Sequence, residues 1–219
     1  IAALILVGLF APLIAPYGEA AVVGKPFASW SSAFPLGTDN LGRDMLTRLI
    51  YGARNTIGIA LVTTLIAFVL GILGGLVAGT VRGWTDTLLS RLVDVLMAIP
   101  SLIFSLLLLT IFGTSALSMI LIIAVIESTR VFRLSRALAM EIAVLDYVLM
   151  ARLRGEGLGW IMLREILPNA AAPLLAEFGL RFCFVFLFIS ALSFLGLGVR
   201  PPTADWGSMV RDNATLITF

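Results

Sequence analysis

Histidine is absent from this chain, cysteine occurs once (Cys183) and lysine once (Lys25). Each absence removes a class of chemistry. Without histidine there is no imidazole acid/base pair and no His-ligated zinc. Cys183 sits in an apolar run with no second cysteine, so neither a disulfide nor a cysteine metal cluster forms within the chain. A phosphate-binding loop needs G-x-x-x-x-G-K-[ST], and Lys25 is followed by Pro26, so no ATP site is encoded here. Charge is scarce too: 13% of residues are charged, against roughly a quarter in soluble domains. The net charge is only +2, and the basic residues, Lys25 apart, are arginines scattered along the chain. No basic tail or patch addresses nucleic acid. No catalytic, cofactor-binding or metal-ligating residue is expected.

What the chain has is apolar surface. Hydrophobic residues make up 60% and the mean hydropathy is +1.07, more than a water-soluble fold covers. The apolar residues form long continuous runs rather than alternating segments, which points to an all-α membrane protein with lipid as solvent rather than a β-barrel. The clearest span is the uncharged run 57–81. Within it Gly71, Gly75 and Gly79 recur every four residues and share one face, a spacing that lets another helix approach closely. Packing is the first reading of these glycines, and direct contact with a solute the second.

The uncharged run 95–126 is too long for one span. The turn signal Gly113-Thr114-Ser115 divides it into expected helices over 89–112 and 116–136, with Pro100 bending the first. A further span is expected over 172–197. Residues 1–16 read as the distal part of a first span, since they lack the flanks of a signal peptide, and 216–219 as the opening of a last one. The count is then five spans, the first partial, with six expected in a full-length chain longer at both ends. Residues 17–54 form a polar, irregular extramembrane segment. Within it the spacing of Leu41, Met45, Leu49 and Ile50 suits a helix over 41–53, lying in the interface or packed on the protein.

Residues 137–171 carry Glu141, Asp146, Arg152, Arg154, Glu156, Arg164 and Glu165 among apolar residues. They read as two short amphipathic helices joined at Gly155-Glu156-Gly157 and stopped at Pro168. If this segment is cytoplasmic, its side of the membrane holds the larger share of the arginines. Charges inside the spans are candidate pathway or pairing residues, because lipid penalises each of them. Glu177 and Arg181, four apart, suit a pair on one helix face or a solute contact. Glu127 is expected to pair with Arg130, and Asp94 with Arg91.

Three blocks then carry a resemblance. They are Leu36-Gly37-Thr38-Asp39-Asn40-Leu41-Gly42-Arg43-Asp44, the stretch from Tyr147 to Asn169, and Ser193-Phe194-Leu195-Gly196-Leu197-Gly198-Val199 followed by Pro201-Pro202 and Trp206-Gly207. In order and across nearly the whole chain, they resemble the permease subunits of the ATP-binding-cassette importers that serve dipeptides, oligopeptides and nickel. The first is similar to that family's GTDxxGRD segment, the third to its SFLGLG…PP…WG signature. The second is similar to its cytoplasmic coupling loop: Ala151, Gly155, Leu167 and Pro168 match, whereas Leu149 and Met150 replace the usual Glu and first Ala, and Glu165 stands where Ile is usual.

The resemblance implies a polytopic type I importer fold, with residues 55–219 as the permease domain and a coupling loop over about 140–168. Ala151, Leu153, Gly155, Glu156, Gly157, Leu167 and Pro168 would then meet a groove of an ATPase subunit. It implies four kinds of partner: a second homologous permease, two ATPases that carry ATP and magnesium, an extracytoplasmic solute-binding protein, and the bilayer of a bacterial inner membrane. The expected function is half of an ATP-driven, binding-protein-dependent solute pathway. The rival is an ion-coupled secondary transporter using Asp94, Glu127 and Glu177; a membrane enzyme is disfavoured by the missing histidine and the single lysine.

Overall fold

The computed structural model describes residues 2–214, and side chains from Leu6 onward. The expected start of a last span at 216–219 lies outside the described residues. The described chain is helical, with no extended strand; two isolated antiparallel bridges, Val22 with Arg43 and Thr38 with Asp44, tie one loop.

The helices are α1 (Ala2–Leu9), α2 (Ala11–Ile14), α3 (Met45–Val81), α4 (Gly83–Ala98), α5 (Ser101–Phe112), α6 (Ala116–Ile142), α7 (Asp146–Leu153), α8 (Leu158–Trp160), α9 (Leu167–Leu192) and α10 (Trp206–Asn213). Wide π-type turns at Ile161–Ile166 and Ser193–Leu197 extend α8 and α9 into one helical run, Leu158–Leu197. By length and apolarity α3 and the run Leu158–Leu197 suffice to cross a membrane, and the bent pair α4 and α5 makes a third span if it is counted as one. Of the other segments counted from the sequence, α1 has 8 residues and α6 carries five charges between Glu127 and Glu141.

Several sequence expectations are corrected here. The helix expected over 41–53 starts at Met45 and runs without a break into the span, so it is not a separate interfacial element. Asp44 caps it, its Oδ2 accepting from the Thr47 N–H at 2.8 Å. The helix expected over 89–112 is two helices meeting at 89°. Pro100 supplies no N–H and crowds the carbonyl four residues back, and Ile99 before it is extended at φ −92°, ψ 131°. Pro168 does not stop the coupling segment: it lies at the second position of α9, and Pro173 lies further inside. The wide turn just before α9 re-registers the backbone acceptors, which is how a helix absorbs a proline. Asn169 Nδ2 donates to the Glu165 carbonyl at 2.6 Å, satisfying one of them.

Tertiary contacts divide the chain into two compact units. The first comprises the residues up to Val62, 106–120 and those from Phe186 on. Its centre is a clasp of buried polar groups. Asp39 Oδ1 accepts from the N–H groups of Leu41 and Arg43, both at 2.9 Å, and its Oδ2 faces Arg43 Nε at 2.6 Å and Arg48 Nε at 3.4 Å. All three side chains are buried. The fold of the loop depends on close backbone approach at Gly42, where φ is +76° and an added Cβ would lie 2.2 Å from the Gly24 carbonyl oxygen. On the same helix face Asn55 Nδ2 donates to Glu19 Oε1 and to the Ala204 carbonyl, both at 2.8 Å, and Thr56 Oγ1 to Asp205 Oδ1 at 3.1 Å. Asp205 caps α10 through the Ser208 N–H, and Trp206 Nε1 donates to the Leu49 carbonyl at 2.9 Å. Blocks one and three of the sequence thus meet in one hydrogen-bonded knot.

The second unit, Thr63–Ser105 and Leu121–Val185, has a continuous core of Leu76, Ala139, Ile142, Ala143, Val148, Ala151, Ile161, Ile166, Ala170 and Leu174. In it α3 and α6 are in near-backbone contact. A Cβ added at Gly71, Gly75 or Gly79 would fall 2.5, 2.5 and 2.6 Å from the Cβ of Val131, Ser135 and Ala139. The glycine face therefore meets the α6 positions that recur with the same four-residue period.

Candidate functional site: a projecting finger and paired charges

The finger is α7, the turn 154–157 and α8. It is held from beneath by Val148 and Ala151 of α7 and by Ile161 and Ile166, all fully or nearly fully buried against Leu76 and Ala139. Helix α7 ends in a Schellman arrangement: the Gly155 N–H donates to the Arg152 carbonyl at 3.0 Å and the Glu156 N–H to the Ala151 carbonyl at 3.2 Å. That closure needs a left-handed residue, and Gly155 has φ +83°. A Cβ at Gly155 would meet nothing within 4 Å, so only its conformation calls for glycine.

The outward side of the finger is apolar. Leu153, next to the turn, is 81% exposed, and Leu149, Met150 and Leu158 are exposed with it. Leu149 and Met150 occupy the places where the resembling loop carries Glu and Ala. Glu165, the other departure, lies 3.9 Å from Arg154 Nη2, and Glu156 lies 4.0 Å from Arg154 Nε. Arg154 is more than half exposed, so these contacts are weak surface pairs. Gly157 is extended at the entry to α8, Leu167 packs on the core and Pro168 is exposed.

Glu177 and Arg181 pair along α9 as their spacing suggests, while Glu127 and Asp94 find partners on a different element. Arg181 Nε donates to Glu177 Oε1 at 2.5 Å across one turn of α9, while its Nη1 lies 3.5 Å from Glu127 Oε2 on α6. The Arg181 guanidinium stands over the Phe184 ring at 5.2 Å. Glu127 therefore does not pair with Arg130: its partner comes from a helix 54 residues on. Asp94 likewise does not pair with Arg91 but with Arg133 of α6, at 2.8 Å. In both cases the helix neighbours in sequence lose to a residue facing them across a helix contact.

A third cross-helix pair escaped the sequence reading. Asp86 of α4 is gripped by Arg136 of α6 through both carboxylate oxygens, Nη2 to Oδ2 at 2.7 Å. The signal was present: Asp86, Ser90 and Asp94 repeat every four residues on α4, and Arg130, Arg133 and Arg136 every three on α6. Ser90, Asp94, Phe132, Arg133 and Arg136 line an open cavity of 460 Å³. A neighbouring cavity of 300 Å³ opens at the α4–α5 break, lined by Leu96, Met97, Ile99, Pro100, Ser101, Leu102, Ile126, Thr129 and Arg130. Among the described residues no group of three His, Cys, Asp or Glu side chains is placed to hold a metal ion.

The family described as binding-protein-dependent transport system inner membrane component matches residues 71–219. The chain is 39% identical over 216 residues to the di/tripeptide transport system permease protein DppC of Pseudomonas aeruginosa, covering 94% of this chain and 71% of that protein. It is 34% identical to the dipeptide transport system permease protein DppC of Haemophilus influenzae, over 94% of this chain and 72% of that one. The protein of the same description in Alkalihalophilus pseudofirmus is 32% identical, over 99% of this chain and 72% of its own length.

Proposed function

The chain belongs to the inner-membrane components of binding-protein-dependent transport systems, multi-pass permease subunits of ATP-binding-cassette importers, and on that footing we propose that it forms half of a peptide pathway driven by separate ATPases. The observation that carries the proposal is the finger. It stands on a fully packed core, is closed by a left-handed glycine, and presents an apolar surface led by Leu153 that nothing in its own unit covers. Exposed apolar side chains on a rigid, well-anchored element suit insertion into a groove of another protein.

In this reading closure of two cytoplasmic ATPases displaces the finger, and the helices packed beneath it follow as a body. A second, homologous permease completes the route, an extracytoplasmic binding protein delivers the solute, and the whole resides in a bacterial inner membrane. Peptides are the solute class because relatives over nearly the whole chain are described as di- and tripeptide permeases. ATP and magnesium belong to the partner subunits. The ion-coupled alternative is disfavoured by the pairing of its candidate carboxylates: Asp94 and Glu127 face an arginine across a helix contact, and Glu177 faces Arg181 along α9.

The test is purification of the tagged protein from its own membranes. Two ATPase copies and one other permease should accompany it; a clean homo-oligomer overturns the proposal.

A further inference from the structure

We propose that the 300 Å³ cavity at the α4–α5 break binds a carboxylate of the transported solute, with Arg130 as its anchoring charge. The inference rests on the transport reading above and adds a site and a chemical group to it.

The argument starts from the ladder between α4 and α6. Arg136 takes Asp86 and Arg133 takes Asp94. The next α4 positions in that ladder are Met97 and Ala98, so the third arginine, Arg130, meets no carboxylate there. Among the described residues no acidic side chain lies within ion-pair reach of it. Its surroundings are instead the cavity, whose wall is formed by Met97, Pro100, Ser101 and Thr129 and holds no acidic group. Thr129 Oγ1 is already committed to the Ile126 carbonyl, leaving the guanidinium and the Ser101 hydroxyl as the side-chain groups offered to a ligand.

Arg130 lies about 21 Å along α6 from Ala116 at about 1.5 Å per residue, within the stretch 116–136 that the sequence reading takes as a span. An arginine in such a stretch, exposed and without an acidic partner among the described residues, is a candidate pathway or binding group. The volume fits the lower end of small-molecule sites, which run from about 300 to 1,000 Å³. One planar guanidinium matches one carboxylate bidentately, whereas a phosphate dianion calls for more positive charge than this wall supplies. A single contact also suits a transient stop, favourable enough to receive the solute and weak enough to release it.

The test uses the complete complex in phosphatidylcholine vesicles, with Cys183→Ser and a reporter Ser101→Cys that an uncharged maleimide labels; Leu102→Cys serves as a second reporter. Without binding protein, alanyl-alanine should slow labelling and its C-terminal amide should not. Arg130→Gln should raise the half-protecting concentration about tenfold, the loss of one charge-assisted contact, and Arg130→Lys should restore most of it. Equal protection by the amide, protection unchanged in Arg130→Gln, or protection that requires phosphatidylglycerol overturns the site. Failure of the transport reading itself looks different: ATP-driven uptake of the dipeptide by the parent complex would then be absent.

Discussion

The clasp and the finger are both motif-bearing loops, and each turns on a glycine with positive φ, yet their side chains are disposed in opposite ways. In the clasp, Asp39, Arg43 and Arg48 are buried and spend their hydrogen bonds on one another and on nearby backbone. In the finger, Leu153 is mostly exposed and Arg154 and Glu156 meet only loosely. At Gly42 a Cβ would strike the Gly24 carbonyl, while at Gly155 it would meet nothing. Clasp residues are used up in holding their own fold. Finger residues are left exposed, uncommitted to their own fold.

The strongest way to break the comparison is Asp39→Ala. It removes the acceptor of two backbone N–H groups and leaves two buried guanidinium groups unpaired. A loss of about 3–5 kcal/mol is expected, read as a collapse in monodisperse, thermally stable protein extracted from the membrane. Normal yield and melting temperature would show that the clasp is incidental. Gly42→Ala comes next. It combines a left-handed backbone with a contact no Cβ tolerates, and should cost about 3 kcal/mol, measured by thermal or denaturant unfolding in detergent.

How far this division could be read in the sequence depends on how local its causes are. The turn at Gly155 and the spacing of Glu177 and Arg181 are local, since a helix period places i and i+4 together. The four-residue spacing likewise gathers Gly71, Gly75 and Gly79 on one face, but nothing local names Val131, Ser135 and Ala139 as what lies against it. The partner of Glu127 is 54 residues away and that of Asp86 is 50; a rule based on the nearest charge along the helix selects Arg130 and misses both. The clasp looks irregular in sequence because its order comes from side chains folding back on backbone, which leaves no periodicity. Pro100 illustrates a further limit. The residue signals a perturbed helix, but local sequence does not give the size of the break, here 89°.

Gly155→Ala sharpens the contrast with Gly42→Ala, because only conformational strain is introduced. Its cost is expected at about 1–2 kcal/mol, less than that of Gly42→Ala in the same unfolding assay. Equal costs would mean that the finger is packed as tightly as the clasp.

Leu153→Glu should be the mildest change of all for the fold. The side chain is 81% exposed and lies outside the core beneath the finger, so stability should stay within about 0.5 kcal/mol of the parent. Association with the ATPase subunits should nonetheless fall, because an apolar contact would be replaced by a charge that must be desolvated in a groove. The two measurements belong together on one preparation: an unchanged melting temperature with lost ATPase co-purification separates a surface held out for a partner from one that supports its own chain. A large drop in melting temperature would place Leu153 with the residues of the clasp and remove the distinction.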